Sequence, residues 1–233
     1  MKQRIPLLQE PIADMEAVVQ YDKGARCYIM PEYKYFVWKI FRRGITAGKV
    51  LEVGTGSGLL AIELARSKHG HHFDITGIDV SENMLKKAME NAEAAHVQDR
   101  IRFLHGTAAA LPFPDDSFDL VMSYASLHHW FDPIAVFNEV ARVTRKTGTI
   151  IIRDNKRVYQ NPFWKAAIWL VSRFMNKRHR ENWPRAILAS YTIPEIKDLL
   201  SQSQLMNCRV STDFLLIDLC IESQSKFTSQ SAL

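Results

Sequence analysis

From Lys49 onward the apolar positions alternate between two patterns: short Val/Ile/Leu-rich runs of near-continuous hydrophobicity, and stretches in which apolar residues recur every three to four positions. The first pattern predicts buried strands and the second predicts helices crossing between them, which together make a parallel sheet. "KVLEV" (49–53), "DITGID" (74–79), "IRFLHG" (101–106), "FDLVMSY" (118–124) and "GTIIIRD" (148–154) read as five strands. The helices between them are "GLLAIELARS", "SENMLKKAMENAEAA" with Ser81 as N-cap, and "PIAVFNEVARVTR" opened by Asp132 and Pro133.

Outside this block the pattern changes. "NPFWKAAIWLVSRFM" (161–175) predicts an amphipathic or buried helix, followed by the basic run "NKRHRENWPR" and a further helix from Pro194. "NCRVSTDF" and "LLIDLCIES" predict a closing antiparallel pair. Residues 1–45, with the aromatic-rich "PEYKYFVWKIFRR", predict a helical cap over the sheet edge or over the mouth of a site. The chain is expected to form one domain over 1–233, with 158–192 as a helical insertion on the substrate side and 224–233 as a disordered tail.

Composition adds three constraints. With 233 residues, 47% of them hydrophobic, the chain can bury one sizeable core, and no apolar run approaches the length of a membrane span. Cys27, Cys208 and Cys220 form no C-x-x-C pair, which favours a reducing, cytoplasmic setting. The net charge of +5 is uneven: Arg142 to Arg185 holds twelve Lys or Arg against Asp154 and Glu181 alone. Such a stripe suits an anionic small molecule, nucleic acid or an anionic membrane surface, or is simply solvated.

The chemistry concentrates at "VLEVGTGSGLLAIELA". A strand running into Gly54, Gly56 and Gly58 and then into a helix lets backbone approach a ligand beside exposed helix N–H groups. The next strand ends in Asp79, where a carboxylate can accept from both hydroxyls of a ribose, so a nucleoside-containing ligand is expected. A dinucleotide fingerprint requires glycine where Leu59 stands, which counts against NAD or FAD. The Tyr35/Lys39 pair precedes the glycine loop and is read as a coincidence on a helix face.

The motifs "VLEVGTGSG", "ITGIDVSENML", "IRFLHGTAAALPFPDDSFDLVMSYASLHHWFDP" and "FNEVARVTRKTGTIII", taken together, resemble the class I S-adenosylmethionine-dependent methyltransferases. The branch most similar is the small-molecule "type 11" group related to ubiquinone and menaquinone C-methyltransferases. The resemblance covers Lys49 to Asp154, with weaker echoes in "YDKGARCYIMPEY". It implies a Rossmann-like three-layer α/β/α sandwich with a mostly parallel seven-stranded sheet and an antiparallel C-terminal strand. It also implies methyl transfer from S-adenosyl-L-methionine to a small-molecule acceptor, leaving S-adenosyl-L-homocysteine.

Carried onto this chain, the resemblance implies that Gly54, Thr55, Gly56 and Gly58 surround the methionine moiety. Asp79 would hold the ribose, Val80 and Met84 would flank the adenine, and Glu52 would support the loop and the ligand's ammonium end. After Gly106, family members usually carry an acid that accepts from the adenine amino group; here Thr107 stands there, a weaker acceptor, followed by Ala108 with its backbone N–H. Ser123 and Tyr124 would line the donor pocket.

Methyl transfer from a sulfonium needs alignment and water exclusion, and a base for some acceptors only. Strand ends and cap supply Tyr124, His128, His129, Asp154, Asn155, Tyr21 and Tyr28 as candidates, with His128 preferred because a histidine titrates near neutrality. The "KHGHH" run (68–72) reads as a solvated loop, not a metal site, and Glu139/Arg142 as a surface pair on one helix. Phe163, Trp164 and Trp169 read first as core and second as lining for an acceptor. Nucleic acid is a poor acceptor, because neither an Asn/Asp-Pro-Pro-aromatic motif nor a Pro-Cys nucleophile is present. An RNA or protein methyltransferase and a non-catalytic donor-binding module stay open as alternatives.

Overall fold

The computed structural model describes residues 4–6, 14–158, 162–175, 177–213 and 218–223. Its sheet contains β1 (Gly48–Val53), β2 (Phe73–Asp79), β3 (Ile101–His105), β4 (Phe118–Tyr124), β5 (Thr144–Asn155), β6 (Arg209–Asp213) and β7 (Asp218–Glu222). The strand order is β3-β2-β1-β4-β5-β7-β6, parallel from β3 to β5, with β7 antiparallel to both of its neighbours. This is the seven-stranded, mostly parallel sheet that the family resemblance implies. The closing pair β6/β7 is antiparallel as the pattern predicts; the expected tail 224–233 lies outside the described residues.

Strand side chains alternate between two cores. Val50, Ile75, Leu120, Met122 and Ile151 face α2 (Met30–Arg42) and α3 (Leu59–Arg66). Leu51, Ile78, Val121 and Ile152 face α5 (Pro133–Val143) and α8 (Ile193–Ser201). Burial on both faces explains why these strands read as continuous apolar runs. The sequence-predicted caps form: Ser81 accepts from Met84 N–H at 3.3 Å to open α4 (Glu82–Ala94), and Asp132 accepts from Ala135 N–H at 3.0 Å to open α5.

Several readings change. The fifth strand runs the whole of Thr144–Asn155 and carries a register shift opposite Phe118 and Leu120. The cap is two helices, α2 preceded by α1 (Met15–Tyr28), whose N-cap Asp14 accepts from Glu16 and Ala17 N–H. The basic run is itself helical: α6 (Pro162–Ser172) is followed by α7 (Lys177–Ala189), which accommodates Pro184 in its interior. Glu139 and Arg142 are more than a surface pair. Glu139 accepts from Leu111 N–H at 2.7 Å, while Arg142 donates to the carbonyls of Leu111 and Phe113 and to Asp115, clamping the segment that leads into β4. Lys39 pairs with Glu222 of β7 at 2.9 Å, so the Tyr35/Lys39 spacing serves to anchor the cap. Among the described residues no helix is long and apolar enough to cross a membrane.

The basic segment separates on folding. Arg142, Arg145, Arg153 and Arg157 reach Glu139, Asp119, Glu32 and Glu195 respectively, which leaves the α6–α7 cations as a distinct surface group.

Candidate active site

The carboxyl ends of β1, β2 and β4 open onto a cleft of about 370 Å³. It lies where the strand order reverses between β1 and β4, the place at which open α/β sheets bind ligands. Gly54, Gly56, Asp79, Val80, Met84, Gly106, Thr107 and Ala108 of the expected set all line it.

The loop after β1 is folded onto the end of β2, with Gly54 and Thr55 N–H both donating to the Ile78 carbonyl at 2.9 and 3.1 Å. Gly54 adopts φ +72°, and a Cβ there would stand 2.1 Å from Ser126 Oγ. Gly56 adopts φ +54°, and a Cβ there would meet nothing within 4 Å. The first glycine therefore permits close packing against the loop after β4, and the second keeps open the space at the cleft.

Beneath the loop, Glu52 is buried and accepts from Thr55 Oγ1 at 2.7 Å and from Ala61 N–H at 3.1 Å. Burial pushes its carboxyl up to about 8, against the opposing effect of these two hydrogen bonds. Glu52 and Thr55 support the loop from below and are not among the lining residues; Gly58 also stands behind, opening α3 as its N-cap.

Asp79 is held by two backbone donors, Gly56 N–H to Oδ2 at 2.8 Å and Ser81 N–H to Oδ1 at 2.9 Å. The Val80 backbone also bonds this carboxylate, which leaves part of its acceptor capacity for a ligand. Burial raises this carboxyl above its ordinary range, opposed by the backbone bonds. Thr107 Oγ1 accepts from Ala109 N–H at 3.3 Å, so the hydroxyl that replaces the usual acid is turned into its own loop.

The fourth wall comes from the segment after β4, which was only partly foreseen: Ala125, Ser126, His129, Trp130, Phe131 and Asp132 line the cleft. Ala125 adopts φ +52°, and Trp130 Nε1 donates to Ser126 Oγ at 3.0 Å. His128, the expected base, is 3% exposed and lies behind this wall. Asp154 accepts from its backbone N–H at 2.9 Å and lies 2.7 Å from its Nδ1. A carboxylate only accepts, so Nδ1 carries the proton and Nε2 is the basic nitrogen. The His129 ring packs against it with centroids 4.1 Å apart; burial, then the neighbouring His128, lowers the pKa of His129 to about 4.

Two expected pocket residues point elsewhere. Ser123 donates to the Val53 carbonyl at 2.8 Å, tying β4 to β1. Tyr124 donates to Glu32 of α2 and packs edge-on against Tyr33 and Phe36, because alternation along β4 turns it to the cap side. From α1, Tyr21 lines the cleft, and Asp22 and Arg26 pair beside it. Burial, then the negative charges of Asp79, Asp22 and Glu52, push the Tyr21 phenol up to about 12, so it remains a hydrogen-bond donor. Tyr28 lies outside the cleft lining, packing its ring on His179 at 5.6 Å and reaching the Phe174 carbonyl. Among the described residues no group of three His, Cys, Asp or Glu is gathered as for a metal ion.

Residues 51–152 match the family model of a methyltransferase domain. A 27-O-demethylrifamycin SV methyltransferase of Amycolatopsis mediterranei is 38% identical over 106 residues, 46% of this chain and 38% of that protein. A demethylmenaquinone methyltransferase of Listeria welshimeri is 32% identical over 142 residues, 57% of this chain and 58% of that protein. The chain thus spans between about two fifths and three fifths of the length of these curated relatives. A structure from Methanococcus maripaludis described as an S-adenosyl-L-methionine-dependent methyltransferase superimposes with a TM-score of 0.70 over 97% of this chain and 99% of that one, at 22% identity. Residues 51–152 thus match a methyltransferase domain, and the fold of the chain is shared with the Methanococcus maripaludis structure.

Proposed function

We propose that the chain is an S-adenosylmethionine-dependent methyltransferase acting on a small molecule of anionic or amphipathic character. The observation that carries this reading is Asp79, fixed by Gly56 and Ser81 N–H and lining the cleft beside a glycine loop, within the stretch that matches a methyltransferase domain. The residues fit the donor: Asp79 would accept from the ribose hydroxyls, Val80 and Met84 would flank the adenine, and the space that a side chain at position 56 would occupy is kept open.

The bound donor would supply an already activated methyl group, so the chain's own work is alignment and exclusion of water. Tyr21, Trp130 and Phe131 give the cleft largely apolar lining. His129 stays neutral at physiological pH, which keeps an imidazolium away from the donor's positive sulfur. For an acceptor that must lose a proton, His128 would serve as the base only where the acceptor's entry moves the 125–132 wall that covers it, with Asp154 setting its tautomer. Cytoplasmic residence is part of this proposal.

The first test is calorimetric titration with S-adenosylhomocysteine and NADH in parallel, followed by methyl transfer to a panel of anionic and amphipathic acceptors. Binding of the homocysteine alone, with turnover, supports the enzyme. Binding without turnover on any acceptor favours a donor-sensing module, and binding of neither ligand removes the reading. Asp154→Asn should then lower kcat roughly 10²- to 10⁴-fold by upsetting the tautomer while donor affinity is kept; an unchanged kcat assigns His128 to loop support alone.

A further inference from the structure

One surface is unexplained by the donor cleft. Helix α6 packs Trp164 and Ile168 inward against Val158 and Ile187, which uses one face of a short helix. Its other sides present Trp169 at 60% exposure, Leu170 at 54% and Val171 at 47%, and the turn that follows adds Phe174 at 81%. Single exposed apolar residues are ordinary, but four large ones within six positions form a patch.

The patch is framed by charge of one sign. The described residues of α6, α7 and their connection hold six Lys or Arg and a single acid, Glu181. Between the two helices is a hollow of about 490 Å³ lined by Trp169, Ser172, Arg173, Arg180 and Pro184. The Arg173 guanidinium lies over the Trp169 ring at 5.2 Å, so this indole is flanked by a cation at the edge of the apolar face.

We propose that the α6–α7 hairpin seats the protein on an anionic phospholipid surface. Apolar side chains would enter the acyl boundary, Trp169 would sit at headgroup level, and Arg173 and Arg180 would meet lipid phosphates. The competing occupants fit less of the patch. A second copy would bring two strongly cationic faces together, and RNA would satisfy the arginines while leaving Leu170, Val171 and Phe174 in water. The hairpin adjoins the cleft: His179 of α7 stacks on Tyr21 at 5.7 Å, and Tyr21 lines the cleft. If the methyltransferase reading holds, seating would bring the cleft mouth near the bilayer, a short path for an amphipathic acceptor. The docking itself does not depend on that reading.

The test is sedimentation of the full chain with vesicles of phosphatidylcholine alone and of phosphatidylcholine with about 30% phosphatidylglycerol. Binding is expected to the second and not the first, and to weaken as salt is raised. Each basic residue near such a surface strengthens partition roughly fivefold, so Arg173→Glu with Arg180→Glu should reduce it tenfold or more. Leu170→Ser with Phe174→Ser should reduce it comparably. Both pairs are exposed, and circular dichroism with S-adenosylhomocysteine titration checks that each variant is folded with its donor cleft unchanged. Absence of binding to the anionic vesicles, or binding indifferent to both pairs, overturns the proposal. So does sedimentation equilibrium in which Leu170→Ser with Phe174→Ser dissolves a dimer, since a second copy would then own the face.

Discussion

Replacing Asp79 by Asn separates what this carboxylate does for the fold from what it does for a ligand. In the folded chain Oδ2 accepts from Gly56 at 2.8 Å and Oδ1 from Ser81 at 2.9 Å, while burial disfavours the charge. Because the folded pKa is raised above the unfolded value, ionisation of Asp79 costs stability, a cost that sets in as pH rises above the ordinary carboxylate range. Asparagine removes that cost but turns an amide NH₂ toward one of the N–H donors, forfeiting a hydrogen bond of about 1 kcal/mol, so the two effects on stability act in opposite directions. Ligand binding has no such offset: a charge-assisted acceptor for the ribose is lost, worth roughly 1.5–3 kcal/mol, or about 10- to 150-fold in Kd. The assay pairs calorimetric titration of S-adenosylhomocysteine with thermal unfolding at neutral pH. Tm is expected to move by only a few degrees while Kd rises at least tenfold. A folded Asp79→Asn protein with Kd within twofold of the parent refutes the ribose assignment.

Glu52→Gln mimics the protonated acid that burial favours. The folded pKa of about 8 lies above the ordinary 4.5, so the stability tied to the bound proton is complete below about 4.5 and is lost as pH rises toward 8, at up to roughly 1.4 kcal/mol per pH unit. The variant should therefore match the parent in melts near pH 5 and exceed it near pH 8; an equal difference at both values contradicts the assignment. Gly56→Ala places a methyl group in the open space of the cleft at φ +54°, with strain of about 1 kcal/mol. It should weaken S-adenosylhomocysteine binding tenfold or more by titration with a small loss of Tm. Arg142→Ala releases the 111–115 clamp and should cost about 2 kcal/mol, a Tm loss of roughly 4–8 °C. A loss under 1 °C would return Glu139/Arg142 to the status of a surface pair.

What could be read from the chain alone was local chemistry. Strands buried on both faces announce themselves as apolar runs, Ser81 and Asp132 cap the helices they precede, and a glycine loop followed by an acid one strand later locates the cleft without any tertiary information. The orientation of residues at strand ends was not legible in the same way. Tyr124 and Asp154 were placed correctly along the chain, yet Tyr124 turns to Glu32 and Asp154 to His128, because the pleat and the packed helices set direction. His128 and His129 are neighbours in one short turn, and only its geometry decides which lines the cleft. The aromatics of 163–169 divided against expectation: Trp164 packs in the hairpin, while Phe163 and Trp169 face out. Helix α7 was hidden by Pro184 and by charge, and its partner's signal was Gly24 of α1, where a Cβ would stand 2.0 Å from the His179 ring.

That contact belongs to a wider coupling between cap and cleft. Asn91 of α4 donates from one amide nitrogen to the Ser57 carbonyl of the glycine loop at 2.9 Å and to Asp22 of α1 at 2.8 Å. Asp22 is adjacent to Tyr21, which lines the cleft, and Gly24 seats α7 through His179. Loop, cap and hairpin are therefore joined by buried polar and close-packed contacts, in which any one displaced partner leaves another unsatisfied. A change at the glycine loop is therefore passed to the cap through Asn91 and Asp22, and a change at the hairpin reaches the same helix through His179. The cleft is thus assembled from parts far apart in sequence, with Asn91 joining the loop to α1 and His179 joining α7 to the same helix.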